Sequence, residues 1–212
     1  MKRILKNILV SFMALLVLIA PRTSIYADNN EKQEQYFEKY NDIISAMKMD
    51  MEGSERCGDV NIDFLSEMIP HYTAKLAMSK NLMKNCKNRE VKKVARAVCK
   101  SHKDVLKEMN EILECVKQKP ISNKGREKEY LKGYDYSYKT MMCNLENLEK
   151  TNDTAKDFLC EMIAMTEGTV NFSTNILKFT SNKDIKKIAQ DVLNTQNKQI
   201  AEMKKLYIKL GE

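Results

Sequence analysis

The chain has 212 residues, 31% of them charged, with six glycines, three prolines and no tryptophan. Six glycines are too few for a phosphate-cradling loop, and only His71 and His102 could serve a serine-histidine-acid triad, so hydrolase chemistry of either kind is not expected. The formal net charge of +7 comes from lysines interleaved with Glu and Asp along helical faces, a solvated surface rather than a phosphate-binding stripe, and no nucleic-acid partner is expected.

Met1 to Ala27 has a basic start at Lys2, Arg3 and Lys6, an apolar run of thirteen residues from Ile8 to Ala20, and a polar stretch ending at Ala27. This is the pattern of a cleavable export signal. Thirteen apolar residues fall short of the roughly 20 that span a bilayer as a helix, so no stable membrane span is expected after cleavage. A secreted or extracytoplasmic protein beginning at Asp28 follows. The signal holds four of the thirty-six basic residues and no acid, so the remainder carries 32 basic against 29 acidic residues, a net +3.

From there the sequence predicts helices over roughly Gln33 to Met51, Asp59 to Asn85 and Arg89 to Lys117. In the third, Val91, Ala95, Val98, His102, Val105, Met109, Ile112 and Val116 recur at steps of four and three, one apolar seam with a histidine in its middle. The second carries Phe64, Met68, His71, Lys75, Met78 and Leu82 along one stripe. Pro70 removes the hydrogen bond to the carbonyl of Ser66 and is expected to bend this helix one residue before His71.

DFLSEMI at 63 to 69 returns as DFLCEMI at 157 to 163, an offset of 94 that holds without gaps: sixteen of the forty-seven positions from 63 to 109 are identical to their counterparts. The expected organisation is a signal peptide at 1–27, helical repeat 1 at 28–118, a linker at 119–128 containing Pro120 and Gly125, and helical repeat 2 at 129–212. The fold class is all-α, with about three antiparallel helices in each tandem repeat. Each unit is short of a four-helix core, so the two are expected to combine into a larger bundle.

Antiparallel pairing about the turns places Met47, Met68, His71, His102 and Met109 in one layer, with Met78 further along the same stripe. Thioether and imidazole donors suit soft ions, copper(I) above all, whereas iron and manganese in helical bundles rely on carboxylates. Packing competes with this reading, because methionine readily fills cores. A neutral imidazole in an apolar seam needs a partner, either a ligand or a hydrogen bond within the core.

At Asp63, Phe64, Met68, Ile69 and His71, and again at Met109, the chain resembles the bacterial domain-of-unknown-function-305 family, an exported, ferritin-like helical group. The resemblance implies a tandem ferritin-like bundle and copper binding. Departures are specific: the family's second histidine is Tyr72 here, and His102 and Val105 stand where the family has Gln and Glu. Repeat 2 has Met165 and Thr166 in place of the histidine pair but keeps Met141, Met162, Met165, Met203 and Gln196. That set is either a sulfur-only second site or a structural copy.

Six cysteines in an exported chain permit disulfides, and the turn near Thr151 sets Cys143 level with Cys160 as a candidate pair. The functional expectation is an exported metal-binding protein that sequesters or delivers copper(I), its partner a metal ion, with homo-oligomerisation left open. The alternative is a metal-free helical interaction or structural module of the cell envelope. A ferritin-like di-metal oxidase is the weakest option, since it needs several inward carboxylates and Glu-x-x-His motifs, while only Asp63 and Glu67 lie near His71 and no catalytic residue stands out.

Overall fold

Helix after helix begins on a side chain that accepts from its own first turn. Asp59 and Asp153 accept from the backbone N–H two residues on, Asn88 and Asn182 from those two and three on, and Asn123 from that of Arg126. In the computed structural model, which describes residues 20–211 with side chains from residue 30 onward, these caps start five of the six helices. The six are α1 (Ala20–Glu52), α2 (Val60–Asn85), α3 (Arg89–Gln118), α4 (Lys124–Glu146), α5 (Thr154–Ile176) and α6 (Lys183–Lys209). The fold is all-α: 84% helix with no strand among the described residues. Most of the expected export signal lies outside those residues. Helix α1 starts at Ala20, earlier than the predicted Gln33, and α4 starts at Lys124, inside the stretch expected to be linker.

Short connections make α1, α2 and α3 antiparallel neighbours, and likewise α4, α5 and α6. The two groups meet through α2 against α5, with α3 touching α6. A three-helix unit leaves one stripe of its middle helix uncovered, and each middle helix covers the other's. One continuous apolar core results, running through residues of all six helices.

Positions 94 apart make matching contacts. Asn81 Nδ2 donates to the carbonyl of Tyr36 at 2.8 Å, and Asn175 Nδ2 to that of Tyr130 at 2.9 Å. Gly58 and Asn152, each just before a capping Asp, hold positive φ of 89° and 59°. The Tyr130 hydroxyl donates to Glu67 at 2.7 Å and the Tyr36 hydroxyl to Glu161, so each half supplies a donor to the other's buried carboxyl. Asn81→Ala and Asn175→Ala should each remove a second bond to a carbonyl that still accepts within its own helix, and cost about 0.5–1.5 kcal/mol in chemical denaturation.

Helix α2 runs unbroken through Pro70. The Ser66 carbonyl, denied its helical partner by the proline, lies 3.4 Å from the Ser54 hydroxyl, which also reaches the Asp50 carbonyl at 3.1 Å.

Candidate metal centre

His71 lies on α2 where that helix meets α5, and it is fully buried. Its Nε2 is 3.0 Å from the carbonyl of Met165 and 2.8 Å from Thr169 Oγ1. A carbonyl only accepts, and the Thr169 hydroxyl proton is itself donated to that same carbonyl at 3.0 Å, so Nε2 carries the imidazole hydrogen. Nδ1 is left as a bare lone pair, buried and without a partner. Burial, and then the nearby Lys75, push the His71 pKa down to about 3, so the ring is neutral at physiological pH.

His102 on α3 also has one nitrogen partnered and one free, with the two exchanged. Nδ1 lies 3.1 Å from Ser101 Oγ, a hydroxyl that also reaches the Ala97 carbonyl at 3.1 Å and the Val98 carbonyl at 3.3 Å. Nε2 is buried without a partner. Burial first, then Lys75 and His71, take its pKa down to about 2. The His102 ring stacks on Tyr72, centroids 4.5 Å apart.

Between the imidazoles and α6 runs a polar chain. Lys75, fully buried, donates to Gln196 Oε1 at 3.0 Å and to Thr169 Oγ1 at 3.3 Å, and Gln196 Nε2 donates to the Tyr72 hydroxyl at 2.7 Å. A cleft of about 200 Å³ between α3 and α6 reaches this layer from outside, lined by His102, Tyr72 and Gln196, with Glu108 and Asp191 also in its walls.

The expected residues are thus distributed unevenly. His71 and His102 both pack against the Tyr72 ring, with centroids 6.4 and 4.5 Å from it. Met47, Met68, Met78 and Met109 are all buried in the core around it, Met68 and Met109 completely, and Met47 lines a groove with Pro70 and Ala74 on the α1 side. Met141, Met162, Met165 and Met203 are buried too, but Met165 belongs to the same layer as His71, whose N–H its carbonyl receives. The α2–α5 packing thus sets one member of the second-half methionine set, Met165, against His71 of the first half. Met141 spends its sulfur against Gly168, where a Cβ would collide with it.

The Cys143–Cys160 disulfide is not formed: both thiols are free, as are the other four. Cys143 is exposed and accepts from Asn147 Nδ2 at 3.2 Å, whereas Cys160 faces Tyr207 on α6, so the two sulfurs turn to different neighbours. Glu67 is engaged by Arg56 and Tyr130, and among the described residues no group of three or more His, Cys, Asp or Glu is arranged to hold a metal.

Lys75, Tyr72 and Thr169 were not singled out from the sequence as members of the centre. A signal was available. Positions 70 to 78 contain no identity with 164 to 172, and 99 to 107 none with 193 to 201: the otherwise matching halves diverge in the two nine-residue stretches that hold His71, Tyr72 and Lys75 on one helix and His102 on the other.

The fold has known counterparts. A structure of CopM in a silver-bound form obtained by soaking superposes with a TM-score of 0.53 at 18% identity, covering 72% of this chain and 98% of that one. A crystal structure of a DUF305 fragment from Deinococcus radiodurans gives 0.52 at 18% identity, covering 70% and 95%. No curated protein is significantly similar in sequence. Residues 61–207 match the sequence model of the Domain of unknown function (DUF305), an interval that takes in α3, α4 and α5 whole with most of α2 and α6, and the chain belongs to that family.

Proposed function

We propose that this is an exported protein that binds copper(I) for sequestration or delivery, with His71 Nδ1 and His102 Nε2 as the nitrogen donors. One observation carries the reading: two buried imidazoles packed against the same Tyr72 ring each have one nitrogen partnered, His71 by the Met165 carbonyl and Thr169 and His102 by Ser101, and the other nitrogen buried without a partner. An imidazole held by one nitrogen with the other free is the usual state of a metal-ligating histidine, and at His71 the carbonyl sets the tautomer and makes the free nitrogen more basic. A buried lone pair with no partner otherwise only costs stability.

The surrounding donors favour a soft monovalent ion. Met47, Met68, Met78 and Met109 offer thioethers in the adjoining core, and no carboxylate joins the hydrogen-bonded chain around the imidazoles. Silver(I), bound by the similarly folded CopM, shares copper(I)'s preference for sulfur and imidazole. Copper bound here would be shielded from water, since the layer is buried and is reached through the α3–α6 cleft. The matched contacts 94 residues apart support a duplicated helical unit as the origin of the scaffold, with one shared centre in place of two.

Anaerobic titration of the reduced protein with copper(I), against a competing chelator, should give at least one ion per chain, in preference to zinc and iron(II). Competition no stronger than that of a methionine-poor helical control would reject the metal reading in favour of a metal-free helical module. Export is tested separately, by whether the protein recovered from the cell envelope or medium begins at Asp28.

A further inference from the structure

The two halves treat their buried glutamates differently. In the first, Glu67 pairs with the guanidinium of Arg56, which also lies 5.2 Å over the Tyr134 ring. The residues 94 positions away are Glu161, Lys150 and, on the other side of the offset, Tyr40. Glu161 is only 4% exposed and receives the Tyr36 hydroxyl, but Lys150 does not reach it: that side chain is exposed, with its ammonium 4.5 Å from the Phe37 ring centroid.

In place of a guanidinium the second half has a cleft of about 430 Å³ among α1, α4 and α5, lined by Tyr40, Asp157 and Glu161 together with the apolar Ile44, Leu145 and Leu148. That volume falls within the roughly 300–1,000 Å³ of small-molecule sites. A second, independent feature points to a ligand. Asp157, also only 4% exposed, gives Oδ1 to the backbone and hydroxyl of Thr151, while its Oδ2 is buried with no partner.

We infer that this cleft binds a small organic cation, an alkylguanidinium or alkylammonium, in the position that Arg56 occupies in the other half. The head group sits against the Glu161 carboxylate and the face of Tyr40, within reach of Asp157, and the stem lies along Ile44, Leu145 and Leu148. A guanidinium matches a carboxylate in two parallel bonds and stacks on an aromatic face, as Arg56 does. The lining carries four carboxyl groups, of Glu146, Glu149, Asp157 and Glu161, against Lys48 and Lys150, a balance that favours a cation, whose arrival also draws the proton from Glu161, held up to about 8 by burial.

The test is titration of the purified protein with n-butylguanidinium, n-butylammonium and the neutral isostere n-butylurea, read by NMR shifts of the cleft residues and by thermal melting. Butylguanidinium should bind at least tenfold more tightly than butylurea, and Glu161→Gln should remove that preference. Lys150→Arg supplies the guanidinium from the chain itself, so it should raise the melting temperature and weaken butylguanidinium binding at least tenfold. Should Glu161→Gln not fold, Lys150→Arg decides alone. Equal affinity for butylurea and butylguanidinium, or butylguanidinium binding that Lys150→Arg leaves unchanged, would overturn the inference.

Discussion

His71→Ala should lower copper(I) affinity by about 100-fold or more while leaving the far-ultraviolet dichroism of the helices intact. Loss of a group that merely orients a ligand costs about 10- to 100-fold in metal affinity, and the ligand itself should cost no less. The helix does not depend on this side chain, since the backbone of α2 is continuous on both sides of it. Met165→Ala should do less, for a reason visible in the hydrogen bonding: its contribution to His71 is a backbone carbonyl, which truncation to alanine retains. A core-packing role predicts the opposite pattern. Removing a satisfied buried imidazole would leave a cavity and an unpaired carbonyl, about 1–3 kcal/mol of apo stability, with affinity unmoved. Measuring melting of the apo variant beside its copper(I) affinity separates the two, and unchanged affinity with a clear stability loss would end the metal assignment.

Much of the fold could be read from periodicity, because a helix that buries one stripe advertises it at steps of three and four. The α3 seam through Val91, Ala95, Val98, His102 and Met109 is buried in the structure, as that spacing requires. Boundaries were legible where a capping residue marks them. Asn88 and Asn182 close on the N–H groups two and three residues on, and the predicted start at Arg89 agrees with the observed one. The start of α4 was misjudged because Pro120 and Gly125 read as linker, whereas Gly125 lies in the first turn of the helix behind the Asn123 cap, where a glycine is tolerated.

The centre was half legible for a different reason. Antiparallel register within one hairpin can be computed from a turn position, and it led from His71 to His102, whose rings both pack against Tyr72. No turn connects α2 to α5, so nothing in the spacing announces that Thr169 and the Met165 carbonyl meet His71, or that Gln196 reaches Lys75 and Tyr72. Lysine on an apolar stripe reads as a stem along the core with its ammonium in water. Lys75 has no such exit, because α5 and α6 cover it.

That burial makes Lys75 the side chain whose replacement should change apo stability most strongly with pH. It is fully buried, its ammonium faces Gln196 Oε1, Thr169 Oγ1 and the Tyr72 ring at 5.5 Å, and burial alone lowers its pKa from 10.5 to about 7. Below pH 7 the ammonium is charged in the folded and unfolded chains alike, and the folded state bears the full desolvation cost. Between pH 7 and 10.5 the folded amine is neutral while the unfolded one still holds its proton. Folding then releases a proton, and stability rises with pH by up to about 1.4 kcal/mol per unit. Lys75→Met removes this dependence and keeps the volume. It also leaves Gln196 Oε1 without its donor, a pH-independent loss of about 1–3 kcal/mol. The difference in unfolding free energy between Lys75→Met and the parent should therefore favour methionine most near pH 7 and shrink steadily toward pH 10, in urea titrations of the metal-free proteins. Over that range Glu67 and Glu161, both pushed up to about 8 by burial, titrate in each protein alike and cancel from the difference. A difference that stays flat from pH 7 to 10 would mean that the amine keeps its proton in the folded chain, and that Gln196, Thr169 and Tyr72 solvate an ammonium as well as water does.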